Sequence, residues 1–302
     1  MYRTVKVLAL VGVVLTLLAC RVTVPEIPSL PTIPAIPSIP SIPRVTPGPM
    51  EQYEEEVPRD GATEARVRIR MGAGEISLST GEADPLFHGT FRTNIAPWAP
   101  EVTWSNGILR IEQGAQEGIP DPGARNEWDL TFSPEVALDV DAEIGAARGE
   151  LDFTGLRVRR LFLEIGASDL TVRFDEPNPE PMSDLIVQTG ASNLRLDGVG
   201  NAGPERVQVE GGVGNLILDL RGAWPQSAWV EIEAGIGSLT VYLPTDIGVR
   251  VEVEGTMGNV QADGGLQQSG GVYTNALYGQ TERQLDISLS VGVGRVELKT
   301  EE

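Results

Sequence analysis

Residues able to do covalent chemistry are scarce in this 302-residue chain, which holds one cysteine, Cys20, and one histidine, His88. A lone histidine rules out a paired-histidine zinc motif and obliges any triad to use His88, yet no Gly-x-Ser-x-Gly nucleophile turn is present. His88 lies in Leu86-Phe87-His88-Gly89-Thr90, whose alternation reads as a strand and makes it an ordinary structural residue. Carboxylates are abundant: 43 Asp and Glu against 23 Lys and Arg, a formal charge of −20. Paired carboxylates are glycosidase machinery, but such enzymes line a cleft with aromatic and basic side chains, and aromatics make up only 5% of this chain. The acidic balance excludes nucleic acid as a partner, because phosphate binding needs clustered Lys and Arg. It also disfavours adsorption to anionic lipid or wall polymers without bridging cations. These counts favour a non-enzymatic protein, with a glycan-active enzyme as the weaker alternative.

The informative pattern is a repeat. A phrase of the form apolar-x-apolar-x-x-Gly-x-Gly-x-apolar-x-apolar recurs eight times, its first Gly position falling at Gly72, Gly145, Gly166, Gly190, Gly212, Gly235, Thr256 and Gly292. A period of roughly 20 to 50 residues marks stacked units, none able to bury its apolar face alone. Five and three residues before the Gly stand Val67 and Ile69, Leu161 and Leu163, Val207 and Val209, with equivalents in the other copies. Four and six after it stand Ile76 and Leu78, Leu170 and Val172, Leu216 and Leu218. Alternation with period two is the strand signal. Each copy therefore predicts two short strands joined at a small-residue corner, where the second small position holds Gly74, Ala147 and Ser168 in the first copies. A phosphate-binding Gly turn would need a helix to follow, and strand patterns follow instead.

Two polar columns accompany the corner. Two residues before it stand Glu143, Glu164, Gln188, Glu210, Glu233 and Glu254. One reading is a wet face whose charge suppresses aggregation. The other is a Ca²⁺ site built from stacked carboxylates, Glu143, Glu164, Glu210, Glu233 and Glu254. Gly211 to Leu216 is similar to a calcium-binding glycine-rich β-helix repeat, but Leu216 stands where that repeat needs Asp. Three residues after the corner, Asn193, Asn215 and Asn259 are expected to stack about 4.8 Å apart as a hydrogen-bonded ladder.

The N-terminus reads as an address. Arg3 and Lys6 precede an apolar stretch, Val7 to Leu18, too short for a comfortable membrane span. Leu17-Leu18-Ala19-Cys20 resembles the lipobox of bacterial lipoproteins. That resemblance implies cleavage before Cys20, attachment of diacylglycerol to its sulfur, acyl chains such as palmitate, and an extracytoplasmic chain anchored to the cell membrane or outer membrane. Losing Arg3 and Lys6 with the signal lowers the charge by two, from −20 to −22. Pro25, Pro28, Pro31, Pro34, Pro37, Pro40 and Pro43 then recur every third residue, matching the three-residue turn of polyproline II. At about 3.1 Å per residue, Val24 to Met50 forms a stalk able to span roughly 80 Å. The expected organisation is a signal over 1–19, the lipidated Cys with stalk and acidic linker over 20–58, and a solenoid over 59–302.

Arg68 to Glu75, then Asn126 to Leu130, then Leu161 to Leu170 resemble the toast-rack family of bacterial envelope proteins. Leu243-Pro244-Thr245-Asp246-Ile247-Gly248-Val249-Arg250-Val251 resembles the C-terminal domain of LiaF-like cell-wall-active-antibiotic response proteins and related adhesin-type chains. The resemblance divides the solenoid into a toast-rack-like part, 59–175, and a LiaF-like part, 176–302. It implies an all-β solenoid exposed at the envelope, whose partners are the membrane through its anchor and an envelope protein or surface glycan. It also implies either adhesion or envelope structure, or a regulatory role in envelope stress or antibiotic response. Between them the readings predict about eight Gly-cornered β coils and no cofactor beyond a candidate Ca²⁺. Gly81 to Ser133, which holds Trp98, Trp104 and Trp128, breaks the repeat and is expected to form antiparallel hairpins that cap the first coil or pack beside it. This stretch and Gly264 to Gln284 are the expected places for a binding site.

Overall fold

A straight 16-residue strand is about 53 Å long, and that length decides how this chain must be wound. The computed structural model describes residues 44–114, 119–255 and 257–300. Its first strands are β1 (Arg44–Val45), β2 (Glu51–Val57), β3 (Glu64–Thr80), β4 (Phe87–Thr93), β5 (Pro100–Ser105), β6 (Ile108–Gln113), β7 (Ile119–Pro120) and β8 (Asn126–Phe132). They continue with β9 (Ala137–Asp152), β10 (Arg157–Arg173), β11 (Met182–Asp197), β12 (Pro204–Asp219) and β13 (Ala228–Tyr242). Last come β14 (Gly248–Glu254), β15 (Met257–Ala262), β16 (Gln267–Ser269), β17 (Val272–Thr274) and β18 (Gln284–Lys299). β9 and β10 pair in parallel from Val140↔Leu161 to Asp152↔Arg173, yet only residues 153–156 connect them. Four residues reach roughly 15 Å. Each long strand must therefore double back at its glycine corner, making two arms of one coil.

Sixteen strands form one open, folded sheet whose spine runs β3, β9, β10, β11, β12, β13, β18 and then β14 with β15. These are the eight expected coils. Inward positions on both arms are buried, as Val207, Val209, Leu216 and Leu218 of a single coil show, none more than 5% exposed. Val67 to Leu298 join one continuous core inside the fold. The sheet passes residues 175–176 without interruption, through the β10–β11 pairing of Leu161↔Leu185.

The corner explains its residue choice. A Cβ added at Gly145, Gly166, Gly190, Gly212, Gly235 or Gly292 would lie 3.0 Å or less from the carbonyl oxygen of the same glycine one coil earlier. Thr256, in the same sequence column, lies outside the described residues, as do Cys20 and the proline stalk.

One expectation of order is corrected. The C-terminal strand β18 lies between β13 and β14/β15, so the last coil in space is not the last in sequence. A column read in chain order therefore has its final two members exchanged. The acidic linker is also corrected at its end: Glu51–Val57 is an edge strand, paired antiparallel with β4 from Glu51↔Thr93 to Val57↔Phe87.

At the N-terminal end the irregular insertion does form a cap. β5 and β6 make an antiparallel hairpin laid parallel on the first arm of β3, and β8, backed by β4 and β2, covers the second arm. Trp128 and Trp98 are 1% and 7% exposed, and Trp128 meets Phe91 edge-on at 5.2 Å. These aromatics fill the cap rather than offer a binding face. The first corner has no preceding coil, so side chains finish it. The Gly72 and Ala73 N–H groups donate to Gln113 Oε1 (2.9 and 3.3 Å), and Asn126 Nδ2 donates to the Ala73 carbonyl (2.8 Å). Asn126 Oδ1 accepts from Trp128 Nε1 (3.0 Å).

Two outcomes are expected. Gly212→Ala should cost about 2 kcal/mol or more by overpacking backbone, whereas Gly264→Ala, with nothing within 4 Å of the new methyl, should stay within about 0.5 kcal/mol of the parent. Equal urea midpoints for the two would defeat the corner argument. Asn126→Ala strands a buried indole N–H and a backbone carbonyl, so urea unfolding should show a loss of about 2–3 kcal/mol.

Candidate interaction surface

The corner that buries backbone also turns one side chain out to solvent in the coils from Ala146 to Val293, while Ala73 of the first coil packs against Val45, Ile95 and Trp98. The residue after the first glycine runs, in spatial order, Ala73, Ala146, Ala167, Ala191, Val213, Ile236, Val293 and Met257, each aligned with the next. Val213, Ile236 and Val293 are 55%, 56% and 47% exposed. Isolated exposed aliphatics are ordinary, but three in register on adjacent strands make a contiguous ridge, a feature of interaction sites. No reading of the sequence singled out this column, although its residues stand beside every glycine that was aligned.

The expected Glu column flanks the ridge, in altered form. Its spatial order is Arg70, Glu143, Glu164, Gln188, Glu210, Glu233, Ser290, Glu254. Arg70 donates to Glu143 (2.9 Å), and Gln188 and Gln208 donate to Glu210 (3.3 and 2.9 Å). Adjacent carboxylates remain only at Glu143–Glu164 and Glu210–Glu233, where like charges on neighbouring strands cost about 0.2–1 kcal/mol each. Glu164, Glu210 and Glu233, with Gln188 and Ser290, line an open trough of about 690 Å³ along the corner. Among the described residues no group of three or more His, Cys, Asp and Glu side chains is placed to share a metal ion. The five glutamates expected to form a Ca²⁺ site are thus not gathered into one, because Gln188 and Ser290 divide them and Arg70 neutralises one end.

The amide ladder is also partial. Asn215 Nδ2 donates to Asn193 Oδ1 (2.9 Å) and Ser238 Oγ donates to Asn215 Oδ1 (2.6 Å). Asn259 does not join, because Arg295 of β18 stands between it and Ser238. On the cap, His88 lies on β4 with Nδ1 3.9 Å from Glu56 Oε2, both side chains well exposed. In the second irregular stretch Tyr273 is buried, and the Tyr278 hydroxyl donates to Asp286 (2.8 Å), a hydrogen bond that raises its pKa. A second open hollow, of about 590 Å³, holds Asp197 and Asp219, each ion-paired to an arginine of its own coil, Arg195 (2.7 Å) and Arg221 (2.6 Å).

The surface that results is an open strip: an aliphatic ridge, a diluted acidic column on one side and hydrogen-bonded amides on the other. Residues repeat along it about every 4.8 Å. Such a strip suits an extended partner with apolar and basic groups better than it suits a small molecule, which needs enclosure.

Comparison with known proteins identifies two families along the chain. Residues 46–182 match the N-terminal domain of toast_rack, and residues 203–298 match the C-terminal region of LiaF, described as cell wall-active antibiotics response. No curated protein matches the chain in sequence. Among solved structures, a candidate cell adhesion protein from Clostridium sporogenes is 23% identical, covering 84% of this chain and all of its own, with a TM-score of 0.47. A candidate adhesin from Bacteroides fragilis is 11% identical over 84% of this chain and all of its own, with a TM-score of 0.39. A candidate lipid binding protein from Parabacteroides distasonis is 10% identical over 85% of this chain and all of its own, at 0.33.

The divided Glu column yields an expectation. Titrating Ca²⁺ to millimolar levels should move the melting temperature of the full chain by no more than about 1 °C, within the few degrees that 1 kcal/mol produces in a domain of this size. A saturable rise of several degrees, lost in Glu210→Gln with Glu233→Gln, would restore the cation site.

Proposed function

Since the chain belongs to the toast-rack family over residues 46–182 and to the LiaF-like C-terminal family over 203–298, we propose that it is a non-enzymatic envelope lipoprotein that binds an extended envelope partner along its corner ridge. In this reading Cys20 carries the lipid anchor and the proline run holds the solenoid off the membrane. The coils then present a fixed ladder of side chains for adhesion or for envelope assembly. The observation that carries the proposal is the exposed, in-register ridge of Val213, Ile236 and Val293. Its partner is an envelope protein or a surface glycan, and basic groups on that partner would meet Glu210 and Glu233 beside the ridge.

Support for the absence of catalysis is chemical. Nucleophile and base must lie within hydrogen-bond reach of each other, and the lone histidine is on the cap strand beside a glutamate. Among the described residues no helix is long and apolar enough to cross a membrane.

A regulatory reading has one specific observation in its favour. The whole ridge lies within 203–298, the part that matches the LiaF C-terminal region described for cell wall-active antibiotics response. A regulator would engage one membrane-protein partner, whereas an adhesive or structural chain would coat envelope surfaces at large.

The test replaces Val213, Ile236 and Val293 together by serine in the full chain. Association with isolated cell envelopes from a strain lacking the protein should fall roughly tenfold or more, from lost burial of three aliphatic side chains. Melting should be nearly unchanged because the three sites are exposed. Undiminished association would sink the ridge as the binding face, and capture of one membrane protein in place of general coating would select the regulatory reading.

A further inference from the structure

The two ends of the solenoid are finished in opposite ways. At the N-terminal end both arms are covered, and the outermost strand of the second arm, β2, carries Glu51, Glu54, Glu55 and Glu56 within seven residues. The hairpin over the first arm ends on β5, which opens with Pro100 and Glu101. Charge and proline on an edge are the usual guards against strand addition. At the C-terminal end the first arm is covered by short strands, β17 and β16. The second arm stops at β15, whose one partner among the described residues is β18, so its outer backbone edge is open.

That open edge has no guards. The chain carries 43 acidic and 23 basic residues, yet residues 255–281 contain one charged side chain, Asp263. Along β15 lie Asn259, Val260, Gln261 and Ala262, and along β16 lie Gln267, Gln268 and Ser269, all three exposed. Core-facing positions are uncovered as well: Val296 and Leu298 of the neighbouring coil are 0% exposed, while Val260 is half-buried and Ala262 exposed. An exposed, uncharged edge strand is a template for another strand.

We propose that this end docks a second copy of the same chain, β15 pairing antiparallel with its equivalent across a two-fold axis. Two observations select a copy over a different partner. Copies bearing a net charge of −20 repel wherever their charged faces approach, and this end is where that repulsion is least. A two-fold interface must also be complementary to itself. Patches of one charge sign fail that test, but amides pass it, because Asn and Gln each carry both donors and an acceptor. Asn259, Gln261 and Gln267 supply three such groups on the two edges, while Gln268 Nε2 already donates to the Gly270 carbonyl and the Tyr273 hydroxyl (3.3 and 3.0 Å). The joined solenoids would share one continuous sheet, with the ridge of each copy running up to the seam.

The test is sedimentation of the full chain in detergent, with micelles in excess over protein so that copies do not share one by chance. The parent should sediment as a dimer at tens of micromolar. Asn259→Glu with Gln261→Glu puts four carboxylates at the seam and should raise the dissociation constant about tenfold or more. Mixing it with the Asn259→Lys, Gln261→Lys variant should restore the dimer. Both side chains are exposed, so unchanged melting of each variant will separate lost pairing from lost folding. A monomeric parent, or a Glu variant that dimerises like the parent, would overturn the proposal.

Discussion

Backbone meets backbone at the glycine corner, and the rest of the molecule follows from that contact. With the carbonyl oxygen of each corner glycine occupying the space a Cβ would need on the next coil, no side chain fits there. The chain can then reverse within a few residues, which lets linkers as short as 153–156 join one coil to the next. The reversal also shifts the alternation: inward positions are odd-numbered from the glycine before the corner and even-numbered after it, so both arms face a single core. The residue following the glycine has nowhere to go but outward. The ridge is thus forced by the fold in position, while its chemistry is free. Alanine satisfies the geometry at Ala146, Ala167 and Ala191, so nothing in the corner itself calls for Val213, Ile236 or Val293.

Stacking multiplies whatever a column contains, and the charges show how that is managed. An unbroken run of glutamates at strand spacing would sum several unfavourable pairs of about 0.2–1 kcal/mol. Gln188 and Ser290 separate Glu143–Glu164, Glu210–Glu233 and Glu254, and Arg70 at the end of the column bonds directly to Glu143. Elsewhere arginines reach between coils, as Arg159 does to Asp139 (3.1 Å) and Glu64 (2.7 Å). Exposed pairs like these are individually weak. Their effect is to let an acidic chain keep identical coils in contact without paying repulsion at each step.

Period, strand phase and corner were legible because each rests on local pattern: two-fold alternation interrupted by small residues. Neighbour order was not, since a periodic phrase says which segments are equivalent and not which ones touch. That is why Asn259 is expected in one ladder with Asn215 and Glu254 next to Glu233, when Arg295 and Ser290 of β18 intervene. Glu51–Val57 read as linker because an edge strand with both faces wet shows no alternation to detect. The tryptophans drew attention as rare aromatics, yet rarity does not distinguish a binding face from the core of a cap. Val213, Ile236 and Val293 stand at a fixed spacing from the repeat glycines, so their place is written in the sequence, but their exposure is not, because an outward aliphatic has the same residue type as an inward one.

The position of β18 bears on how the C-terminal end is held. Each coil from β10 to β13 leans on the coil made just before it, contacts of short sequence separation that form readily. The last coil differs. β14 and β15 do not pair with β13, and they join the solenoid through β18, from Gly248↔Gln284 to Glu254↔Ser290 and from Met257↔Val293 to Ala262↔Leu298. Their place in the sheet therefore depends on a strand that leaves the ribosome after them. Until β18 arrives, β13 is itself an exposed edge, with Ile236 and Trp229 already uncovered on its faces. Inserting the final strand closes that edge along its full length and moves the open one outward to β15, where the sequence has removed nearly all charge.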